Sequence, residues 1–451
     1  MSCASATAAR TLAHFASALE LEAIPELDRE RARQCLIDAV GVALFGASQP
    51  WSRMVATYAR QYGGQGTSRI IGEPGPIAAP LAALTNGVFA HAFELDSLRK
   101  PGAGVHPGAA LVPTALALGE EIGVAGKALI TAIVAGCEVM FRIGIATRQS
   151  VEPRGFHSPG LTGPFGAAVT AGHLLGLDAA RMTHALGIAG SLCGGLLAFV
   201  KAGNGAMVKR LHLGRAAEAG VLAARLAAQG FEGPDTILDG DYGFLASYGK
   251  DYDATLLTQG LGERFETRNL CLKRYPCHIM AHTPLQAIEA LRAAQPFTAD
   301  DVEKVTVRGS HKMQSHHADP APTDTMAAQY SVPFCVAVGI AGNPMDPAAF
   351  GERGRSDPRI RTLLSRIDIA PWRDNAERNA WASEVTVLFA DGRERTAAAD
   401  DFPGTPTSPL SAEQLRDKFR VCAAGYASAE TLLAQLEAIE TMPDVRVLAL
   451  G

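Results

Sequence analysis

The chain has 451 residues, more than one hydrophobic core usually organises, so two or three domains are expected. Hydrophobic residues make up 47% and charged residues 19%, a balance typical of a folded, enzyme-sized protein rather than a disordered one. The formal net charge of −5, without any dense basic run, disfavours nucleic acid and anionic membranes as partners. Small anionic substrates remain compatible with this charge, because their binding depends on local charge.

Membrane insertion and secretion are not expected. The longest apolar stretch, residues 128–145, contains Glu138 and Arg142 and lacks the roughly 20 apolar residues of a membrane span. At the N-terminus, acidic residues follow Arg10 without the apolar core and cleavage site of a secretory leader. We therefore predict a cytoplasmic protein that makes no membrane contact.

The eight cysteines contain no CxxC pair and no regular spacing. This pattern argues against disulfides, structural zinc and a cysteine-ligated cluster. The adjacent pair Cys277-His278 is not enough to indicate a metal site, so no metal is expected.

The first part of the chain predicts helices. Residues 5–48 have apolar residues at helical spacing, with Asp28 as a candidate N-cap. From 77 to 230, segments rich in Ala, Gly, Leu and Ile predict buried helices that approach one another closely, since small residues permit short interhelical distances. These segments are PLAALTNGVFAHAFELD, GAALVPTALALGEEIG, KALITAIVAGCEVMFRIGIATR, PFGAAVTAGHLLGLD and MTHALGIAGSLCGGLLAF.

The pattern changes after about residue 268. DVEKVTVRGS alternates as a strand does, and SEVTVLFADGRERTAAAD predicts a hairpin with its turn at Asp391-Gly392. PLSAEQLRDKFRVCAAG then returns to helix, with Ser411 near an N-terminal cap. We predict a helical domain formed by residues 1–268 and 409–451, with an α+β domain, residues 269–408, inserted in it.

Polar residues are concentrated in short segments of this otherwise apolar sequence, and we refer to these segments as islands. The richest island is FAHAFELDSLRKPGAGVHPG, in which Pro107 fits the first position of a new helix. Helix N-termini offer free N–H groups and a positive dipole end, which suit carboxylates, while a desolvated lysine or histidine can act as acid or base. The islands contain Glu94, Asp96, Arg99, Lys100 and His106; His157; Lys209, Arg210 and His212; Lys273, Arg274, Tyr275, His278 and His282; and Tyr330.

Together the islands favour a small polycarboxylate whose α-proton is removed, with cations and N–H donors stabilising the enolate-like intermediate. Each histidine also has a simpler interpretation as a core or capping residue, and His173 and His184 are interpreted in that way. His311, His316 and His317, with Lys312, are interpreted as a polar loop on a solvated or lid surface. The chain has no GxGxxG after a strand, Walker A sequence, GxSxG elbow or HExxH.

In their order along nearly the whole chain, the islands resemble the MmgE/PrpD family, which includes 2-methylcitrate dehydratase, cis-aconitate decarboxylase and iminodisuccinate epimerase. The motifs that carry the resemblance are LIDAVGVALFGA, NGVFAHAFELD with HPGAA, RGFHSPG with FGAA, VKRLHLGRAAEAG, LKRYPCH, QYSVPF and PLSAEQLRDKF. The resemblance implies a mainly α fold, namely a large all-helical domain with a smaller inserted α+β lid domain. It also implies a homodimer that works without metal or organic cofactor.

The resemblance further implies a catalytic set, to which we add four candidate substrate-binding residues. His106 or His157 would act as base or acid at the α-carbon, and Asp96 would orient a histidine or take part in proton transfer. The lysines would hold carboxylates, and the tyrosine would close the site from the lid. The catalytic candidates are Asp96, His106, His157, Lys209, Lys273 and Tyr330, and the substrate-binding candidates are Arg99, Lys100, His278 and Arg210.

The sequence departs from the family directly after Asp96. Dehydratase and decarboxylase members tend to carry a second acid there, whereas this chain has Ser97, followed by the cations Arg99 and Lys100. The departure favours a more negative substrate and the removal and return of one proton, as in epimerisation of iminodisuccinate. The alternatives, in order, are a dehydratase of 2-methylcitrate-like hydroxy acids, a cis-aconitate-type decarboxylase and a non-catalytic polycarboxylate-binding protein.

Overall fold

The computed structural model describes residues 7–200, 206–374 and 378–451, and these residues are mainly α-helical. In chain order the helices are α1 Ala8–Ala18, α2 Glu26–Ala47, α3 Pro50–Tyr62, α4 Ala79–Ala90, α5 Pro107–Ile122, α6 Gly126–Ala146, α7 Ser158–Leu174, α8 Ala179–Ser191, α9 Val208–Ala228, α10 Phe244–Tyr248, α11 His282–Ala294, α12 His311–His316, α13 Thr325–Tyr330, α14 Val332–Ala341, α15 Glu352–Ser356, α16 Pro358–Leu364, α17 Ala412–Cys422 and α18 Ala429–Glu437.

The described strands form two short antiparallel pairs and one larger sheet. β1 pairs with β2, β3 pairs with β4, and the larger sheet has the order β6-β5-β7-β8, in which only β5 and β6 run parallel. The strands are β1 Ser68–Arg69, β2 Pro76–Ile77, β3 Leu98–Arg99, β4 Leu270–Cys271, β5 Val302–Gly309, β6 Ile367–Pro371, β7 Ser383–Phe389 and β8 Glu394–Ala399.

The chain divides into two compact units. Unit 1 comprises Met1–Ala92, Asp96–Leu272 and Ser411–Gly451, and unit 2 comprises Phe93–Leu95 and Lys273–Leu410. The helices α1 to α10, α17 and α18 therefore belong to unit 1, whereas α11 to α16 and the four-stranded sheet belong to unit 2. The short segment Phe93–Leu95 groups with residues far away in the sequence, although its neighbours on both sides lie in unit 1.

Unit 1 depends on small residues where its helices cross. A Cβ atom at Gly214 of α9 would lie 2.4 Å from the Leu84 carbonyl oxygen of α4, and one at Gly220 would lie 2.3 Å from the Ala167 Cβ of α7. Both distances are shorter than any real contact, so only glycine allows α4 and α7 to approach α9 this closely. The predicted close packing of small-residue helices is confirmed, and it fixes the helix ends that carry polar side chains.

The helix Gly126–Ala146 is long and apolar enough to cross a membrane, yet 89% of its most apolar window is buried inside the protein. It packs against α7 and α5. The buried Glu138 and Arg142 lie on this helix, and each is hydrogen-bonded within unit 1. The helix therefore has the properties of a core helix.

Unit 2 is built on its four-stranded sheet. Along β7, the side chains of Ser383, Val385, Val387 and Phe389 are buried while the residues between them are less so, as the two-residue repeat of a strand requires. α11 packs against β7 and β8. The predicted strand over DVEKVTVRGS and the predicted hairpin are confirmed by β5 and by the antiparallel β7–β8 pair, whose turn contains Gly392 with a φ of 83°.

Three sequence-based predictions about helix limits were wrong or inexact. Asp28 is not an N-cap, because α2 begins at Glu26, and the Asp28 carboxylate instead pairs with Arg268 at 2.8 Å. The helix predicted through residue 199 ends at Ser191. The helix predicted through Asp96 ends at Ala90, and farther along the same segment Glu94 has a φ of 56°, which lies outside the helical region.

Candidate functional site

Four helix ends in unit 1 bring histidines and a lysine together. His91 directly follows α4, His106 and His157 directly precede α5 and α7, and Lys209 lies in the first turn of α9. Pro107 occupies the first position of α5, as predicted. We refer to His91, Asp96, His106, His157 and His212 as the histidine cluster.

Asp96 is the centre of this cluster. Its Oδ2 atom lies 2.9 Å from Nδ1 of His91, with which it forms a hydrogen bond, and 2.9 Å from Nδ1 of His106. The carboxylate is completely buried. Because a carboxylate oxygen only accepts, Nδ1 of His91 carries the proton, which leaves Nε2 of His91 as an acceptor when the ring is neutral.

The protonation states follow from burial and from the mutual contacts. Burial lowers the pKa of His91 to about 3, although the Asp96 carboxylate acts in the opposite direction. Burial alone would raise the pKa of Asp96, but the neighbouring His91 and His106 rings outweigh it and hold this pKa well below its usual range. At neutral pH Asp96 is therefore a carboxylate and His91 a neutral imidazole.

A second pair of imidazoles adjoins this centre. The rings of His91 and His157 lie 6.0 Å apart, and Nδ1 of His157 forms a 2.9 Å hydrogen bond with Nδ1 of His212. Burial lowers the pKa of His157 well below its usual range, and neighbouring histidines add to this effect. Burial and the Lys209 charge lower the pKa of His212 as well. Both rings are therefore neutral at neutral pH, and the Nδ1–H group of one ring donates to the Nδ1 atom of the other.

Three polar atoms of the cluster lack a hydrogen-bond partner within residues 7–200, 206–374 and 378–451. They are Nε2 of His91, Nδ1 of His106 and Oδ1 of Asp96, and all three are buried. A buried polar atom without a partner costs about 1–3 kcal/mol, so native proteins keep few of them without a functional reason. These atoms therefore mark the histidine cluster as a place that receives a ligand or water.

Ser97, the residue at which the sequence departs from the resembling family, has a structural role. Its buried Oγ accepts a hydrogen bond of 3.0 Å from the Gly108 amide in the first turn of α5, and it lies 3.5 Å from Sγ of Cys35. The hydroxyl thus satisfies one of the free N–H groups of this helix and fixes the loop to it.

Arg99 lies in β3, which pairs with β4, and Lys100 directly follows it. Arg99 is nearly buried, and its guanidinium binds the Glu266 carboxylate at 2.7 Å and the Pro101 carbonyl oxygen at 2.7 Å. The Lys100 amide donates to the Asn269 carbonyl oxygen at 3.0 Å. The charge of Arg99 is therefore balanced inside unit 1, and the substrate-binding roles of Arg99 and Lys100 stay predictions.

Lys209 and Arg210 occupy the start of α9 and are both buried. The ammonium of Lys209 lies close enough to His91 and His212 to lower the pKa of both. Arg210 lies over the Trp51 ring, 4.7 Å from its centroid, and donates to the Ala206 carbonyl oxygen at 2.7 Å. Lys209 is thus part of the surroundings of the histidine cluster, whereas these contacts of Arg210 are with Trp51 and the backbone.

A second polar group lies in unit 2. Nζ of Lys273 binds Oε2 of Glu94 at 3.0 Å, and the Tyr330 hydroxyl lies 3.5 Å from Oε1 of the same carboxylate. Lys273 and Glu94 are both almost fully buried. We refer to Glu94, Lys273, His278, His317 and Tyr330 as the glutamate–lysine cluster.

The aromatic side of this cluster is a stack of rings. The His278 ring stacks on that of His317 with centroids 4.1 Å apart and lies 4.7 Å from the Tyr330 ring. Nδ1 of His317 lies 3.0 Å from the Tyr330 carbonyl oxygen. The prediction of a solvated loop was wrong for His317, which is 3% exposed, whereas His311 and His316 are exposed.

The structure therefore places the predicted catalytic residues in two groups, namely Asp96, His106, His157 and Lys209 in unit 1 and Lys273 and Tyr330, with His278, in unit 2. Sequence reasoning gave no role to His91, Glu94 or His212. The first two were visible as polar residues within the richest island, and His212 stood beside Lys209. The partners of Glu94 and His212 are Lys273 and His157, which lie far away along the chain, so no local pattern singled out these two residues.

His91, Asp96 and His106 also have the composition of a metal site, because their ligand atoms all lie within 4.8 Å of one another. The expectation that no metal takes part rests on the cysteine spacing and on the resemblance, and it stays a prediction.

Comparison with known families decides how this geometry is to be interpreted. A family model for the MmgE/PrpD N-terminal domain matches residues 10–257, and one for the MmgE/PrpD C-terminal domain matches residues 275–443. The chain belongs to the MmgE/PrpD family. Both polar clusters thus lie in an MmgE/PrpD protein, and the resemblance noted in the sequence is confirmed.

Several curated MmgE/PrpD relatives cover almost the whole chain. Human cis-aconitate decarboxylase is 28% identical over 433 residues, which are 92% of this chain and 88% of the human protein. Cis-aconitate decarboxylase of Aspergillus terreus is 29% identical over 451 residues, 94% of this chain and 91% of its own length. These relatives are enzymes, and they support an acid–base, lyase-like activity at the level of the family.

Proposed function

We propose that this protein is a cofactor-independent acid–base enzyme that removes the proton α to a carboxylate of a small polycarboxylate. The observation that carries the proposal is the Asp96–His106 contact of 2.9 Å in a buried cluster of neutral imidazoles. Nε2 of His106 would take the α-proton, and the imidazolium so formed would lie against the Asp96 carboxylate. The electron pair left behind delocalises into the substrate carboxylate as an enediolate.

Charge compensation for this intermediate is available in unit 1. The N-termini of α5 and α7 begin directly after His106 and His157, and Lys209 lies in the first turn of α9. Free N–H groups and an ammonium are suited to substrate carboxylates and to the added charge of an enediolate. His91 would hold Asp96 in position through its Nδ1–H group.

In the proposal, Lys273 of unit 2 binds a carboxylate and Tyr330 supplies a hydroxyl group. Nζ of Lys273 is paired with the Glu94 carboxylate at 3.0 Å, so a substrate carboxylate would share or replace this contact. His278 is proposed as a substrate-binding residue. The protein is further proposed to be a cytoplasmic homodimer.

For the overall reaction we favour a lyase, which expels a β-substituent such as hydroxide after the α-proton has left. The relatives named as decarboxylases support lyase chemistry. Glu266 balances the charge of Arg99, so Arg99 does not favour a substrate that is more negative. Epimerisation of iminodisuccinate is the second candidate, since one of His106 and His157 would remove the proton from one face of the α-carbon and the other would return a proton to the opposite face.

Incubation with polycarboxylates in deuterated water tests the proposal. Elimination from a 2-methylcitrate-like acid gives a new alkene absorbance, whereas epimerisation gives deuterium at the α-carbon with the second diastereomer. Decarboxylation of cis-aconitate gives carbon dioxide. If no tri- or tetracarboxylate exchanges its α-proton or forms product at a rate above that of buffer, the proposed function is wrong.

A further inference from the structure

His317 is a buried histidine for which the proposed mechanism has no use. It follows α12 and is 3% exposed, and its ring stacks on His278 with 22° between the planes. The Tyr330 carbonyl oxygen, 3.0 Å from Nδ1, holds the ring on one side. The ring is therefore fixed by two residues of the glutamate–lysine cluster.

These contacts determine which nitrogen carries the proton. A carbonyl oxygen only accepts a hydrogen bond, so Nδ1 of His317 must donate to Tyr330. Burial lowers the pKa of His317 to about 4, with the Lys312 and His316 charges acting in the same direction, so the ring is neutral at neutral pH. Nε2 of His317 then has a lone pair and no proton.

This Nε2 atom is buried, and it has no hydrogen-bond partner among residues 7–200, 206–374 and 378–451. A buried acceptor that nothing satisfies is rare in native proteins, because burying it costs free energy that no bond returns. It lies in a ring in contact with His278, beside the residues that bind the Glu94 carboxylate. A ligand that satisfies this atom must bring a donor.

We propose that Nε2 of His317 accepts a hydrogen bond from a hydroxyl or N–H group of the polycarboxylate, and thereby selects hydroxy- or imino-polycarboxylates over those that have only carboxylates. The inference rests on the proposed function and makes it narrower. A carboxylate cannot donate to this nitrogen, and its negative charge would be repelled by the lone pair. An unsaturated tricarboxylate without a donor would therefore bind less well than its hydroxylated counterpart.

Two ligand pairs that differ in a donor test this selection by calorimetry at neutral pH. Citrate and propane-1,2,3-tricarboxylate differ only in a hydroxyl group, whereas iminodisuccinate has a secondary ammonium group at neutral pH where oxydisuccinate has an ether oxygen. We expect the wild-type protein to bind citrate about three- to tenfold more tightly than propane-1,2,3-tricarboxylate, the range of one hydrogen bond between neutral groups, and to prefer iminodisuccinate by at least as much, because its donor is charged.

His317→Asn keeps an N–H group near the position of Nδ1 but loses the acceptor, so it should bind both members of a pair equally. His317→Gln keeps an acceptor near the position of Nε2 and should retain the preference. His316→Asn, at the exposed neighbouring residue, is the matched control and should behave as wild type. A preference that survives in His317→Asn, or is absent from wild type, overturns the inference.

A measurement on the wild-type protein does not depend on how the variants fold. With 15N-labelled histidine, the Nε2 resonance of His317 should shift on adding citrate and stay in place on adding propane-1,2,3-tricarboxylate. Equal shifts with both ligands contradict the inference. If α-proton exchange proceeds while the pairs bind equally, only the inference fails; if no polycarboxylate binds or exchanges, the proposed function fails with it.

Discussion

The histidine cluster and the glutamate–lysine cluster differ in how each compensates a buried carboxylate. Asp96 is contacted by the imidazole rings of His91 and His106, whereas Glu94 is paired with the ammonium of Lys273. A neutral imidazole can accept a proton at its free nitrogen, and an ammonium can only donate one. The first arrangement is therefore suited to proton transfer and the second to binding a charged group.

The largest expected effect follows from removing the proposed base. His106→Asn keeps an N–H group toward Asp96 and removes Nε2, so kcat should fall by about 10²–10⁴-fold while KM changes little. Steady-state kinetics and α-proton exchange on the same substrate measure this. His14→Asn, at an exposed histidine of the same unit, should leave both constants unchanged. If His106→Asn retains its turnover, His106 is not the base, and His157 is then the candidate base.

In unit 2 the corresponding test concerns stability. Lys273→Met leaves the Glu94 carboxylate buried without the ammonium, which should lower the free energy of unfolding by roughly 3–5 kcal/mol. Lys304→Met breaks a pair with Asp368 whose side chains are 53% and 64% exposed, and should cost less than about 1 kcal/mol. Denaturant unfolding of both variants gives the two values, and Glu94→Gln with Lys273→Met should recover part of the loss. Equal losses in the two single variants would contradict the role of burial.

The low pKa of His91 predicts how unit 1 responds to acid. The folded pKa of about 3 lies below the unfolded value of about 6.5, so between these values the unfolded chain binds more protons. Stability due to His91 is therefore complete above pH 6.5 and is lost progressively as the pH falls toward 3, by roughly 5 kcal/mol. His91→Asn, which keeps a donor toward Asp96, should show a shallower decline of unfolding temperature over this range. A decline as steep as that of wild type would mean that His91 is not the titrating group.

Sequence patterns predicted the features that local chemistry determines. Pro107 at a helix start, the Asp391-Gly392 turn and the capping box at Ser411 are fixed by residues within a few positions, and all three are present. Glu94 could not be predicted in the same way, since its partner Lys273 is 179 residues away. The sequence around His317 is as polar as that of a surface loop, and the buried ring of His317 stacks on the ring of His278, which lies far away along the chain.

The smallest expected effect tests whether the departure at Ser97 concerns structure or substrate. Its hydroxyl accepts from the Gly108 amide at 3.0 Å, so Ser97→Ala should lower the free energy of unfolding by about 1 kcal/mol and leave KM for each polycarboxylate within about twofold of wild type. Ser48→Ala, at an exposed serine of unit 1, should cost less than about 0.5 kcal/mol. If Ser97→Ala instead changes the ranking of substrates without loss of stability, Ser97 contacts the substrate. The segment after Asp96 would then determine which polycarboxylate binds, and the hydrogen bond from Ser97 to α5 would matter less.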